Sequence, residues 1–211
     1  ILEEKSRIVD PIKHLKNWKV DFLISLDSRN LSTMKTCHKI GVDIFNDIMA
    51  FKEKNKIDFI SKTATPIIIM HMQKEPINMQ INPKYNFAPI DIYKFFSKKI
   101  IDLVKEGVKK SNIVVDPGIG FGKTLSDNIN ILKYLTLFHS LGVPILIGAS
   151  RKSLIAELTI KDYKLRGQIK KDISPSKRLS GSLAFAMHAN KCGVQILRTH
   201  DVFETNQALI C

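Results

Sequence analysis

The sequence is short of cysteine and of acidic residues, and it has no long apolar run. Three cysteines, at positions 37, 192 and 211, are odd in number and far apart. That excludes a disulfide framework or a Cys-x-x-Cys zinc pattern and favours a reducing, cytoplasmic setting. Apolar runs such as Ile67–Met70 and Val143–Ile147 fall far short of the roughly 20 residues that a membrane-crossing helix needs, so no membrane partner is expected. The first residues, Ile1-Leu-Glu-Glu-Lys-Ser-Arg7, show no basic segment followed by an apolar one and no initiator Met, so no secretory signal is expected. Acidic residues number 20 against 33 basic ones, a net charge of +13. A dense cationic face would suit nucleic acid or anionic lipid. Lysine, however, outnumbers arginine by 27 to 6 and is scattered along the chain, whereas phosphate readers favour the bidentate guanidinium. No nucleic-acid partner is expected, and the densest cluster, Lys161–Lys177, also holds Asp162 and Asp172 and reads as a solvated loop.

What is present is ordinary globular material, 211 residues of which 44% are hydrophobic and 25% charged, enough for one substantial core. Six short apolar stretches recur: Phe22–Leu26, Val42–Phe45, Ile67–Met70, Ile113–Val115, Val143–Ile147 and Val194–Leu197. They lack polar alternation, the pattern of parallel strands covered on both faces. Between them lie helical periodicities at 3–17, Leu31–Ile40, Phe51–Lys62, Ile90–Lys110, Asp127–Leu141 and Leu179–Cys192. The clearest places Ile92, Phe95, Phe96, Lys99, Ile100, Leu103 and Val104 on one face. Gly41, Gly107, Gly142 and Gly193 each fall between a helix and a strand, where a helix cap calls for positive φ.

Strict β/α alternation leaves a doubly wound sheet or a (β/α)8 barrel. Nearly every strand ends in a polar group: Asp27, Asn46 with Asp47, His71, Asp116, Ser150, and Arg198 with His200. A barrel collects such groups from all its strands around one mouth, whereas a doubly wound sheet uses one switch point, so the barrel is the better account. Six strands are counted where closure needs eight, which predicts an α/β TIM-type barrel domain over 1–211 that is incomplete at its N-terminus.

Individual motifs narrow the chemistry. Asp116-Pro-Gly-Ile-Gly-Phe-Gly-Lys-Thr124 fails the phosphate-loop pattern because Pro117 stands where the first Gly belongs, and it fails the dinucleotide pattern at Lys123. What remains is a strand-end carboxylate before a turn that lets backbone approach a flat ligand, or a tight turn with packing of its own. Gly148-Ala-Ser-Arg-Lys-Ser153 opens a helix, so Ser150 can cap it or face an anion, and the absence of Gly-x-Ser-x-Gly argues against a nucleophilic serine. Arg198-Thr-His-Asp201 offers a pyrophosphate clamp or an ion pair capping the last helix. Asp27 and Asn46 end apolar strands and, if buried, require polar partners such as a heterocycle rich in N–H groups. His71 and the Cys37-His38 pair lack neighbouring ligand residues and read as packed side chains.

Taken together, Ser25-x-Asp27-Ser28, Asn46-Asp-Ile48, Met70-His-Met-Gln73 with Met79-Gln80 and Pro83-Lys-Tyr85, Asp116-Pro-Gly-x-Gly-Phe-Gly-Lys123, Gly148-x-Ser-Arg-Lys-Ser153, Arg178-Leu-Ser-Gly-Ser182 and Arg198-x-His-Asp201 resemble the dihydropteroate synthase family of folate biosynthesis, collinearly from about residue 3 onward. The resemblance implies a (β/α)8 barrel transferase that joins p-aminobenzoate to 6-hydroxymethyl-7,8-dihydropterin diphosphate with Mg2+ and releases pyrophosphate, a target of sulfonamides. It implies that Asp27, Asn46, Asp116 and Lys152 recognise the pterin, with Ile48, Met70, Phe121 and Gly148 shaping its slot. Arg198 and His200 then serve the diphosphate and Ser150 the aminobenzoate carboxylate, with Asp27, Lys152, Arg198 and His200 as the catalytic set. A homodimer is implied as well.

Two family loops do not occur here, one with Asn-x-Thr-Pro-Asp-Ser-Phe and one with Glu-Ser-Thr-Arg-Pro. The first carries the metal-associated Asn, so no metal ligand is expected in this chain. Residues 159–177 form a Lys-rich connector that is long for the family. A split pterin-binding protein without turnover, and a relative of the pterin-dependent methyltransferases, stand as alternatives.

Overall fold

The computed structural model describes residues 2–169 and 171–211, so Lys170 of the Lys-rich connector lies outside the described residues. The chain groups into two compact units, one of residues up to His71 with Ser97–Val115, the other of Met72–Phe96 with Asp116–Cys211. Helices and strands alternate except at the consecutive α6 and α7: α1 Leu2–Lys16, β1 Ser25–Asp27, α2 Leu31–Lys39, β2 Ile44–Asp47, α3 Lys54–Thr63, β3 Ile67–Met70, α4 Ala88–Lys105, β4 Ile113–Asp116, α5 Leu125–Lys133, β5 Leu146–Ile147, α6 Ser153–Leu165, α7 Leu179–Lys191, β6 Ile196–Leu197 and α8 Val202–Ile210. All six expected strands are present, each shorter than or shifted along its apolar stretch except β3, which matches it, and β4, which runs one residue past it.

In the first unit β1, β2, β3 and β4 form a sheet in that order, with β1/β2 and β2/β3 parallel. β3 is buried at every residue, as a strand covered on both faces must be, whereas β1 exposes Ser25 and Asp27 and buries only Leu26. The expectation of two-sided burial therefore fails at β1, which has a single strand neighbour in this sheet. On α4 the expected apolar face holds at Ile92, Phe96, Ile100 and Leu103, while Val104 is 43% exposed. Lys99 turns inward and donates to the carbonyl of Phe51 at 2.9 Å.

In the second unit β5 and β6 pair in parallel, Leu146 opposite Ile196 and Ile147 opposite Leu197. The helix expected over Asp127–Leu141 is interrupted at Tyr134, where α5 gives way to a 3-10 segment at Leu135–Leu141 that buries Leu135, Phe138 and Leu141. α5 starts sharply because Thr124 and Asp127 cap each other's backbone amides reciprocally. α6 runs to Leu165, so the proposed connector begins inside a helix rather than as a loop at 159. The four expected cap glycines, Gly41, Gly107, Gly142 and Gly193, all have positive φ.

Candidate functional site

The strand ends of the first unit bring Asp27 and Asn46 side by side, because β1/β2 register places them opposite each other. Asn46 Nδ2 donates to Asp27 Oδ2 at 3.2 Å. Asn46 is only 4% exposed, and its Oδ1 is buried without a hydrogen-bond partner. A buried acceptor in that state costs roughly 1–3 kcal/mol until a donor arrives, the signature of a binding group. Met70 is buried at the end of β3, and Ile48 is half-buried just beyond β2.

The turn carrying Ile48 is held from below by Asp47. This fully buried carboxylate accepts from the amides of Met49 at 2.8 Å and Phe51 at 3.1 Å and from Lys56 Nζ at 3.3 Å. Ala50 and Phe51 are both left-handed there, with φ of 52° and 51°, a conformation that β-carbon-bearing residues keep only when their surroundings impose it. Glu4 of α1 reaches the β1–α2 loop, accepting from Ser28 Oγ at 2.6 Å, Asn30 Nδ2 at 2.6 Å and Thr33 Oγ1 at 2.9 Å. Burial works against that carboxylate's charge, but the three hydrogen bonds outweigh it and lower its pKa.

The second unit assembles the larger set. Asp116, fully buried at the end of β4, accepts from the Gly118 amide through Oδ1 at 2.8 Å and from Arg198 Nη2 through Oδ2 at 2.9 Å. Lys152 lies along the glycine-rich turn. Its Cδ is 3.5 Å from where a Cβ on Gly120 would stand, and its ammonium sits 4.0 Å above the Phe121 ring centroid. Burial lowers the Lys152 pKa, the nearby Arg198 charge adds to that, and Asp116 opposes it. Gly148 is closely approached by Arg198, since a Cβ there would come within 2.8 Å of Nη2. Ser150 Oγ meets His200 Nδ1 at 3.0 Å and accepts from the His200 amide at 3.2 Å.

Two expectations are corrected by these contacts. Ser150 does not cap α6, whose N-cap is Lys152, because its hydroxyl is committed to His200. In this conformation the Arg198 guanidinium rests on Asp116 and the His200 imidazole on Ser150. Asp201 does not receive a helix-capping ion pair from Arg198. It is bound at both oxygens by Arg151, with Nε to Oδ2 at 3.0 Å, and this hydrogen bonding lowers its pKa.

Of the supporting residues, Gln80, Tyr85 and Lys123 entered the sequence reading only as motif positions without a role, and Asn128 not at all. Lys123, 4% exposed, donates from Nζ to the carbonyls of Gly118 at 2.9 Å and Phe121 at 2.8 Å. Asn128 Oδ1 accepts from the Gly120 amide at 2.8 Å, Gln80 Nε2 donates to the Gly120 carbonyl, and Tyr85 Oη donates to the Gly122 carbonyl at 2.8 Å. Recurrent glycine was the only signal, and it marked the turn without revealing what would grip it. Gly118, Gly120 and Gly122 all have positive φ, and a Cβ on Gly122 would lie 3.0 Å from the Gln73 carbonyl oxygen.

Comparison with known proteins agrees with this assembly. Residues 1–200 match the family model described as pterin binding enzyme. The chain is 35% identical to the dihydropteroate synthase of Escherichia coli K12 over 208 residues, covering 99% of this chain and 70% of that protein. Its fold superposes on the Yersinia pestis dihydropteroate synthase solved with a sulfonamide drug complex with a TM-score of 0.88 and 34% identity, covering 99% of this chain and 71% of the other. A Xanthomonas albilineans dihydropteroate synthase solved with 7,8-dihydropteroate gives a TM-score of 0.84 and 29% identity, with coverage of 99% and 72%. The likeness gives the chain the (β/α)8 fold class, of which the described residues supply six parallel strands. Over nine-tenths of its length the chain therefore matches proteins of one kind, and it belongs to the dihydropteroate synthase family.

Proposed function

We propose that this chain joins p-aminobenzoate to 6-hydroxymethyl-7,8-dihydropterin diphosphate, forming 7,8-dihydropteroate and pyrophosphate. The observation that carries the reading is the buried Asp116 carboxylate with Arg198, Lys152 and Phe121 gathered at one strand end. A carboxylate presents two oxygens to the parallel N–H donors of an aminopyrimidinone edge, and Lys152 can donate to a ring carbonyl or nitrogen. Phe121 offers the flat ring an apolar face, and the missing side chain at Gly148 lets Arg198 approach the strand end. In the other unit, the vacant Asn46 Oδ1 offers a further acceptor to an N–H donor, with Ile48 just past β2 and Met70 at the end of the paired strand β3.

The chemistry breaks the carbon–oxygen bond between the pterin methylene and the diphosphate and forms a carbon–nitrogen bond to the aniline, which then gives up its proton. Positive charge grows on the methylene and negative charge on the leaving group. Asp27 answers the first, while Arg198 and the free edge of His200 answer the second. Ser150 orients His200 through Nδ1, so its expected role toward the aminobenzoate carboxylate requires it to share or exchange that bond.

Magnesium needs oxygen ligands, above all carboxylates. The groups gathered in the second unit are a guanidinium, an imidazole, an ammonium and a carboxylate already shared between Arg198 and the Gly118 amide. Among the described residues no group of three His, Cys, Asp or Glu side chains could hold a metal ion. These residues do not fit a magnesium cage. A homodimer follows from the resemblance alone. A cytoplasmic setting rests on the unpaired cysteines, and among the described residues no helix is long and apolar enough to cross a membrane.

The test is turnover and binding with the purified chain. Pyrophosphate release should depend on both substrates, and Arg198→Ala should abolish it while leaving pterin affinity within about threefold, because the guanidinium acts on the leaving group. Equal loss of affinity and turnover by calorimetry and kinetics would overturn this division of roles.

A further inference from the structure

The glycine-rich turn from Asp116 to Lys123 is tied at many of its backbone groups. Side chains from outside the turn bind the Gly120 amide and the carbonyls of Gly120 and Gly122, and Asp116 itself binds the Gly118 amide. The carbonyls of Gly118 and Phe121 both converge on the buried Nζ of Lys123. Nothing in the proposed reaction uses Lys123. Its amine is aimed at carbonyl oxygens, so it is not a phosphate ligand, although its place after Gly-Phe-Gly suggests one.

We propose that Lys123 is a positioning residue for Lys152. By holding the carbonyls of Gly118 and Phe121 it fixes the turn, so that Gly120 lies against the Lys152 stem and the Phe121 ring carries its ammonium at 4.0 Å. Two facts favour this over a purely local packing role. Phe121 is at once the residue whose carbonyl Lys123 holds and the one whose ring Lys152 rests on. Burial also brings the Lys123 pKa down to about 7, against the pull of Asp116 and Asp127, and a neutral amine still has two N–H groups for the two carbonyls. The turn therefore stays tied on either side of neutrality. The inference deepens the proposed function, since it matters to catalysis only if Lys152 binds the pterin.

Lys123→Met keeps the length of the side chain and removes the donors. In that variant Lys152, followed by NMR of isotopically methylated lysines, should titrate at higher pH than in the native chain, because a loosened turn returns its ammonium to water. Binding of 6-hydroxymethyl-7,8-dihydropterin diphosphate should weaken by at least about tenfold. A destabilising control in the other unit, Val108→Ala, should leave the Lys152 titration in place, and an equal change there would overturn the link. An unmoved Lys152 in folded Lys123→Met would overturn it whatever the affinity, and so would unchanged affinity when the native chain binds. Should Lys123→Met not fold, Phe121→Leu removes the ring alone and must move Lys152 in the same direction, or the inference falls. The titration needs no pterin, so failure of the native chain to bind it would count against the proposed function and leave this result readable.

Discussion

Each unit buries one lysine almost completely, and the two are stabilised by different means. In the first, Lys56 is 1% exposed and lies against two carboxylates, Asp47 at 3.3 Å and Glu53 at 2.8 Å. In the second, Lys123 has two backbone carbonyls at hydrogen-bond distance, and the charges of Asp116 and Asp127 favour its protonated form. The first arrangement stores a charge pair that stays sound only while both partners remain. The second needs donors more than it needs charge, which suits a turn that must hold its shape over a range of pH. Both lysines sit beneath loops that carry proposed pterin contacts, Ile48 above Asp47 and Phe121 above Lys123.

The sharpest way to break the comparison is Asp47→Ala. It leaves the Lys56 ammonium without its buried counter-charge and frees the amides of Met49 and Phe51, so urea unfolding should show a loss of about 3–5 kcal/mol. A loss under about 1 kcal/mol would mean that Glu53 alone suffices for Lys56.

The pH dependence sharpens it next. The folded pKa of Lys123 is depressed to about 7, so between that value and about 10.4 the unfolded chain holds a proton that the folded chain has released. Stability contributed by this group therefore rises with pH across that window. Urea midpoints at pH 7 and pH 9.5 should separate further for the native chain than for Lys123→Met, and parallel profiles would contradict the assignment. Ser150→Ala should cost only about 1 kcal/mol, the worth of one hydrogen bond to His200, read as a small drop in melting temperature. Smaller still is Arg7→Ala on α1, whose pair with Glu3 is about three-quarters exposed on both sides and should be worth under about 0.5 kcal/mol.

Strand positions and strand-end residues were legible because both follow from local pattern. Ile67–Met70 reads as a buried strand whatever surrounds it, and a polar residue ending such a run must face a partner. The side-chain partnerships were not legible, since they depend on which loops meet. Arg198 and Asp116 are 82 residues apart in the chain, and Gln80 reaches Gly120 across 40. The halt of the long helix at Tyr134 was hidden as well, because Leu135, Phe138 and Leu141 keep a helix-like spacing through the tighter 3-10 segment.

Just past the tip of β5, Gly148 has no room for even a methyl group beside the Arg198 guanidinium. A methyl on that carbon would stand 2.8 Å from Arg198 Nη2 and 2.9 Å from its Nε, like a wedge under a hinge. Position 148 is thus a purely steric dial on the Arg198–Asp116 contact. Alanine there would push the guanidinium aside while leaving the formal charge of every residue unchanged.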